Sequence, residues 1–215
     1  SGYYLYQEAL GSAPTTHVRV KNGKTGRWQD LFNLASYNYL GISYRPEVKK
    51  AATEAIEKYG LGASGSPILS GNFDVHEEFV SELARFKDKE ACIVFPTGYS
   101  ANVGFISSLM RSGDTILLDQ YSHASIVDGA ILAKSKTVFF RHNNPLDLER
   151  KIAGVKGKKL VVVEGVYSMD GDMCFLPEIL AVDLGDQRLR IEARLVFAPA
   201  DVLGHEPEIV ALERI

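Results

Sequence analysis

The sequence is poor in the features that would classify it at a glance. It has two cysteines in 215 residues, Cys92 and Cys174, and neither has ligand-type neighbours at metal-binding spacing. Both sit beside apolar strand-like runs, so buried thiols in a reducing compartment are expected rather than a disulfide framework. No apolar run approaches the length of a membrane span. The opening Ser1-Gly2-Tyr3-Tyr4-Leu5 has neither the basic nor the apolar part of a secretory signal. A cytoplasmic setting is expected, with membrane contact at most peripheral. An excess of one charge is missing as well: 24 Lys and Arg against 27 Asp and Glu leave a net charge of −3, and no nucleic-acid partner is expected. There is no Walker motif, and no Gly-x-Gly-x-x-Gly turn between a strand and a helix. That argues against a P-loop NTPase and against a simple NAD-binding unit. Internal repeats and low-complexity segments are absent.

What is present is ordinary globular material, 46% hydrophobic and 24% charged. It is long enough for one substantial core, or for one large domain with extensions. Residues 1–45 predict an extension with a hairpin turning at Asn22-Gly23-Lys24-Thr25-Gly26. Within it, Ser36-Tyr37-Asn38-Tyr39-Leu40-Gly41 is either a turn packed on the core or a substrate-contacting segment with Asn38 as donor and acceptor. Pro46 opens a helix with an apolar stripe through Val48, Ala52, Ile56 and Tyr59, stopped by Gly60. A Gly- and Ser-rich loop follows, then a helix beginning near Asp74. Cys92-Ile93-Val94-Phe95-Pro96 predicts a strand, Thr97-Gly98 a tight turn, and Val103, Phe105, Ile106, Leu109 a helix. A turn of that kind presents free N–H groups and the positive end of a helix dipole, a cup for phosphate. Tyr99 would flank it as an aromatic wall or with a phosphate-directed hydroxyl.

Beyond the cup, strands are predicted at Asp114–Asp119, Thr137–Phe140 and Leu160–Glu164, with helices between them. Alternation of this kind implies a mostly parallel sheet with helices on both faces, an α/β fold. His123 lies just past the carboxyl end of the first of these strands, the edge where open α/β sheets bind ligands. A helix-capping His is the alternative there. His142 falls in a loop, and Asp170 and Asp172 imitate a calcium loop only superficially.

These segments together resemble the α-oxoamine synthases, a branch of the pyridoxal-phosphate enzymes of fold type I. The resemblance rests on Tyr37-Asn38-Tyr39-Leu40-Gly41, Thr97-Gly98-Tyr99-Ser100-Ala101-Asn102, Ser122-His123-Ala124-Ser125-Ile126, Arg141-His142-Asn143 and Glu164-Gly165-Val166-Tyr167-Ser168-Met169. It runs from about Tyr37 to Glu178 and is most like the serine palmitoyltransferases, with 8-amino-7-oxononanoate synthases sharing much of the pattern. It implies a partial fold-type-I large domain over residues 46–182. It further implies that pyridoxal 5'-phosphate is held by Thr97, Gly98 and Tyr99 at the phosphate, by His123 against the ring, by Ser168 at the phenolic oxygen and by Glu164 in support. Asn38 would lie near the substrate. His123 would be the catalytic residue of a decarboxylative condensation between an amino acid, serine by resemblance, and an acyl-CoA, carried out by a homodimer.

Past Pro177-Glu178-Ile179-Leu180 the family pattern stops. The Asp-x-Ala-His motif and the cofactor-linking Lys are not found, and no lysine follows Lys159, while Arg188, Arg190, Arg194 and Arg214 do. Residues 183–215 are therefore expected to be foreign to the fold, with Asp201 and His205 no substitute for the family's pair. The chain as given is expected to be an inactive fragment. The alternatives are a non-catalytic partner subunit of a heterodimer, or another fold-type-I enzyme such as an aminotransferase or aldolase.

Overall fold

The computed structural model describes residues 8–38, 40–182 and the backbone of the strand at 209–213. These fall into two compact units divided between Asp74 and Val75. The expected Asp201 and His205 lie outside the described residues, as do most of 183–215.

The first unit carries a three-stranded antiparallel sheet, β1 (Ala9–Leu10), β2 (His17–Lys21) and β3 (Trp28–Phe32), in that order. Val18 and Val20 are its alternating buried positions. The turn between β2 and β3 is the predicted one: Asn22 Oδ1 accepts the N–H groups of Lys24 and Thr25, and Gly26 takes the left-handed φ of 69° that closes it. Helix α1 (Pro46–Tyr59) starts on its proline and stops at Gly60, φ 79°. Its predicted apolar stripe is not a buried face: no residue of α1 is buried, and Val48 and Ile56 stand exposed among the described residues.

The second unit holds α2 (Asp74–Phe86), α3 (Gly98–Leu109), β4 (Thr115–Asp119), α4 (Ala124–Leu132), β5 (Lys136–Phe140), α5 (Pro145–Ala153), β6 (Lys159–Glu164), α6 (Leu176–Ala181) and β7 (Ile209–Glu213). The sheet order is β5-β4-β6-β7, parallel across the first three and antiparallel at β7. The period of two sorts its side chains cleanly. Ile116, Leu118, Leu160 and Val162 face α3 and α4, meeting Ile106, Met110, Ile126 and Ala130. Leu117, Val161 and Val163 face the other way, onto Leu148 and Ile152 of α5 and Ile179 of α6. Helices thus cover both faces, and β4 and β6 are buried almost throughout.

The predicted strand at Cys92–Phe95 does not form. Ile93 is 80% exposed, and Val94 and Phe95 are exposed too. A strand needs a neighbour for its N–H and C=O groups, and none of the described strands lies beside this run. Phe95 packs instead over Gly104, where a Cβ would come within 2.8 Å of the ring. No helix among the described residues is long and apolar enough to cross a membrane.

Candidate functional site

The order β5-β4-β6 contains a reversal. The chain leaves β4 for β5 on one side, then crosses to β6 on the other. The crevice past the carboxyl ends of β4 and β6 is therefore a topological switch point, the place where open α/β sheets take ligands. The two exits are tied together there. Glu164, the last residue of β6, accepts the backbone N–H of His123, four residues beyond β4. Burial pushes the Glu164 carboxyl up to about 6; the His123 N–H opposes the shift and the charge of Asp119 adds to it.

His123 is both the cap of α4 and a side chain of the crevice. Its Nδ1 accepts the N–H of Ser125 at 3.2 Å, closing the first turn of the helix. The same Nδ1 lies 2.7 Å from Ser125 Oγ, and Ser125 Oγ accepts from Asn102 Nδ2, also at 2.7 Å. Ser125 and Asn102 are fully buried. Asn102 belongs to α3, so this chain of contacts joins the start of α4 to the second turn of α3.

The start of α3 is the predicted cup. Thr97 is its N-cap: Oγ1 accepts the Ser100 N–H at 3.0 Å and lies 2.9 Å from Ser100 Oγ. The N–H groups of Gly98 and Tyr99 precede the helix's own ladder and have no partner among the described residues. Tyr99 differs from one expectation. Its hydroxyl donates to Asp128 Oδ2 at 2.8 Å, so what it can offer an anion is its backbone N–H and ring, not a hydroxyl.

The structure thus brings Thr97, Gly98 and Tyr99 into one hydrogen-bonded assembly with His123 and Glu164, through Asp128, Asn102 and Ser125. Ser168, in the same unit, is not joined to that assembly. Ser168 is exposed at the tip of a small hairpin after β6, closed by the Val166–Met173 bridge and the Tyr167 N–H to Asp172 O bond of 2.9 Å. No hydrogen bond joins it to His123 or to the Thr97 turn. Asn38 belongs to the first unit and organises its own turn: its Oδ1 accepts the Ser43 N–H at 3.3 Å and its C=O the Gly41 N–H at 3.0 Å. Its Nδ2 is buried with no partner among the described residues.

Sequence reasoning missed a second cluster at this edge, built on His142. Nδ1 meets Asp119 Oδ1 at 2.9 Å and Nε2 meets Asp172 Oδ2 at 2.8 Å. Tyr121 stacks on the ring at 4.3 Å, and the ring meets Tyr167 edge-on at 4.5 Å. Asp119 is fully buried and also accepts the N–H groups of Tyr121 and Asn143. Burial alone would lower the His142 pKa. The bonds to Asp119 and Asp172 outweigh it and hold the value above the ordinary one. Asp119 and Asp172 are 53 residues apart in sequence, and the only local sign was a His two residues past the end of a strand. No group of three or more His, Cys, Asp or Glu among the described residues is arranged to hold a metal ion.

Residues 29–188 match the family described as aminotransferase class I and II. The 8-amino-7-oxononanoate synthase of Lysinibacillus sphaericus is 53% identical over 163 residues, 75% of this chain and 41% of the relative. The serine palmitoyltransferase of Sphingomonas wittichii superposes with a TM-score of 0.73 at 41% identity, over 78% of this chain and 41% of that one. A second serine palmitoyltransferase structure, which contains pyridoxal phosphate, gives 0.74 at 40% identity over 81% and 44%. The chain spans about two fifths of the length of the relatives it matches.

Proposed function

Since this chain belongs to the class I and II aminotransferase family, in its α-oxoamine synthase branch, we propose that it is part of a pyridoxal-phosphate enzyme that joins an amino acid to an acyl-CoA with loss of CO2. Serine is the amino acid of first choice, and the enzyme works in the cytoplasm as a homodimer. The observation that carries the reading is the His123–Glu164 bond at the switch point, beside a capped helix start with unpaired donors.

The donor set suits the cofactor. Two backbone N–H groups, two hydroxyls and the positive end of a twelve-residue helix favour a phosphate. Thr97, Gly98 and Tyr99 would hold it, and the exposed His123 imidazole would lie against the ring. Ser168 would offer its hydroxyl to the phenolic oxygen. When bound, the cofactor supplies an electron sink for the charge left on the amino acid's α-carbon. His123 would face that ring, and Glu164 holds the backbone that carries His123.

Without a lysine beyond Lys159, these 215 residues hold the cofactor reversibly and turn over feebly at best. Titration of the purified chain with pyridoxal phosphate should give saturable binding that Thr97→Ala and His123→Ala weaken. No binding in the wild type, or a borohydride-fixed label on a lysine, would overturn the respective part. The 53% identity to an 8-amino-7-oxononanoate synthase favours a second reading of the substrates. Thermal shifts with serine, alanine and glycine in the presence of pyridoxal phosphate separate the two: serine should give the largest shift under the first reading.

A further inference from the structure

His123 has two ring nitrogens, and the contacts around it treat them differently. The backbone N–H of Ser125 points at Nδ1. A backbone N–H is only ever a donor, so Nδ1 must present its lone pair. The hydroxyl of Ser125 agrees. Its oxygen accepts from the Asn102 amide N–H, which frees its own proton to point along the 2.7 Å contact to Nδ1. Turning the Asn102 amide over would reverse the hydroxyl, but at a double cost. It would leave both amide N–H groups buried and without a partner among the described residues, where now one of them is paired and the other and the carbonyl oxygen Oδ1 are not, and it would set an Nδ1–H against the Ser125 N–H. Unpaired buried N–H groups are the rarer of the two. His123 Nε2, by contrast, takes no hydrogen bond among the described residues, and the residue is exposed.

We propose that Asn102 and Ser125 are positioning residues that lock neutral His123 as the Nε2–H tautomer, so that the ring offers the crevice one N–H donor and no basic lone pair. Their role rests on the reading of His123 as a ring-facing residue; the tautomer itself does not depend on any cofactor. The arrangement has a consequence for chemistry at the site. A locked Nε2–H can donate to an anionic oxygen, such as a substrate carboxylate, yet it cannot take a proton through that nitrogen. The neutral ring serves as a donor and a wall, and a base must come from elsewhere.

The test is long-range proton–nitrogen NMR of the cofactor-free chain carrying 15N-histidine at about pH 8.5, where an ordinary imidazole is neutral. The five histidines are His17, His76, His123, His142 and His205, and His123→Gln assigns the one in question. Nδ1 should resonate as the unprotonated nitrogen and Nε2 as the protonated one. Ser125→Ala should move the tautomer ratio about fivefold toward Nδ1–H, the change made by one net hydrogen bond. Asn102→Asp, whose carboxylate would capture the hydroxyl proton, should move it further. A wild-type spectrum with Nδ1 protonated overturns the proposal, and so does a Ser125→Ala ratio equal to the wild type's. If Asn102→Asp does not fold, the wild-type and Ser125→Ala spectra decide. A chain that shows the lock but binds no pyridoxal phosphate fails the functional reading alone, and a chain that binds it with the opposite tautomer fails this proposal alone.

Discussion

Replacing Glu164 by Gln should make the protein more stable above pH 6, although it removes a charge beside the candidate site. The carboxyl is raised from 4.5 to about 6, first by burial, with Asp119's charge adding and the His123 N–H opposing. A raised carboxylate keeps its proton in the folded state at a pH where the unfolded chain has released it. Its contribution is therefore fully present below about pH 4.5 and is lost as pH rises through about 6. The full shift corresponds to about 2 kcal/mol. The group is half-buried, and screening by water reduces this to about 1 kcal/mol. Gln keeps an oxygen for the His123 N–H and has nothing to ionise. Urea unfolding followed by far-UV circular dichroism should show wild-type stability falling by about 1 kcal/mol from pH 4.5 to 6.5, beyond what the variant loses. At pH 7.5 the variant should then be ahead by a similar amount, about 2–4 °C in Tm. His142 also has a raised pKa, but its contribution is lost only above its ordinary 6.5, so the two windows separate. An unchanged slope between pH 4.5 and 6.5 in Glu164→Gln would refute the reasoning.

His142→Asn should cost about 3 kcal/mol below pH 6.5, because the fully buried Asp119 loses the imidazolium it faces. In the wild type that contribution is complete below pH 6.5 and fades as pH rises through the elevated His142 value, so His142→Asn should destabilise less at pH 9 than at pH 6 in the same urea assay. Thr97→Ala removes the cap of α3 and should cost about 1 kcal/mol in a thermal melt without cofactor, separate from its effect on binding. The thiol of Cys174 is pushed up to about 12, mainly by burial and next by the charge of Asp119. Iodoacetamide at pH 8 should leave it unmodified in the folded chain and alkylate it promptly in urea, as mass spectrometry would show.

The parts of the fold that a linear reading can reach are those set by short-range rules. Pro46 and Gly60 bound α1 because one fixes φ and the other permits a positive one. The all-apolar cores of β4 and β6 announce strands covered on both faces. Thr97 and His123 stand at helix starts that the flanking patterns predict, and both cap their helices by a local bond. Cys92–Phe95 has the composition of a strand without a described partner, and pairing is a long-range condition that composition does not encode. The His142 cluster escaped for the same reason. Its two carboxylates, Asp119 and Asp172, come from different strand exits, and only the sheet order brings them to one imidazole. The apolar stripe of α1 shows the converse: periodicity marks a face that can be buried, not that something buries it.

The same distinction explains why small residues recur where α3 meets α4. A Cβ at Gly129 would lie 3.1 Å from the backbone oxygen of Asn102 and 3.1 Å from Ile106 Cβ. The helices therefore approach closely at the level of Asn102, and that approach lets a side chain as short as its amide reach Ser125 Oγ at 2.7 Å. A methyl at Gly129 would push the helices apart by a few tenths of an ångström. That displacement is small for the apolar layer of Ile106, Ile126 and Ala130, which tolerates it at modest cost. It is large for a hydrogen bond whose strength falls steeply with distance and angle. Packing in this pair of helices thus serves a polar end. The glycine sets the helix separation, the separation sets the amide–hydroxyl contact, and the contact adds to the Ser125 N–H in keeping the proton on His123 Nε2.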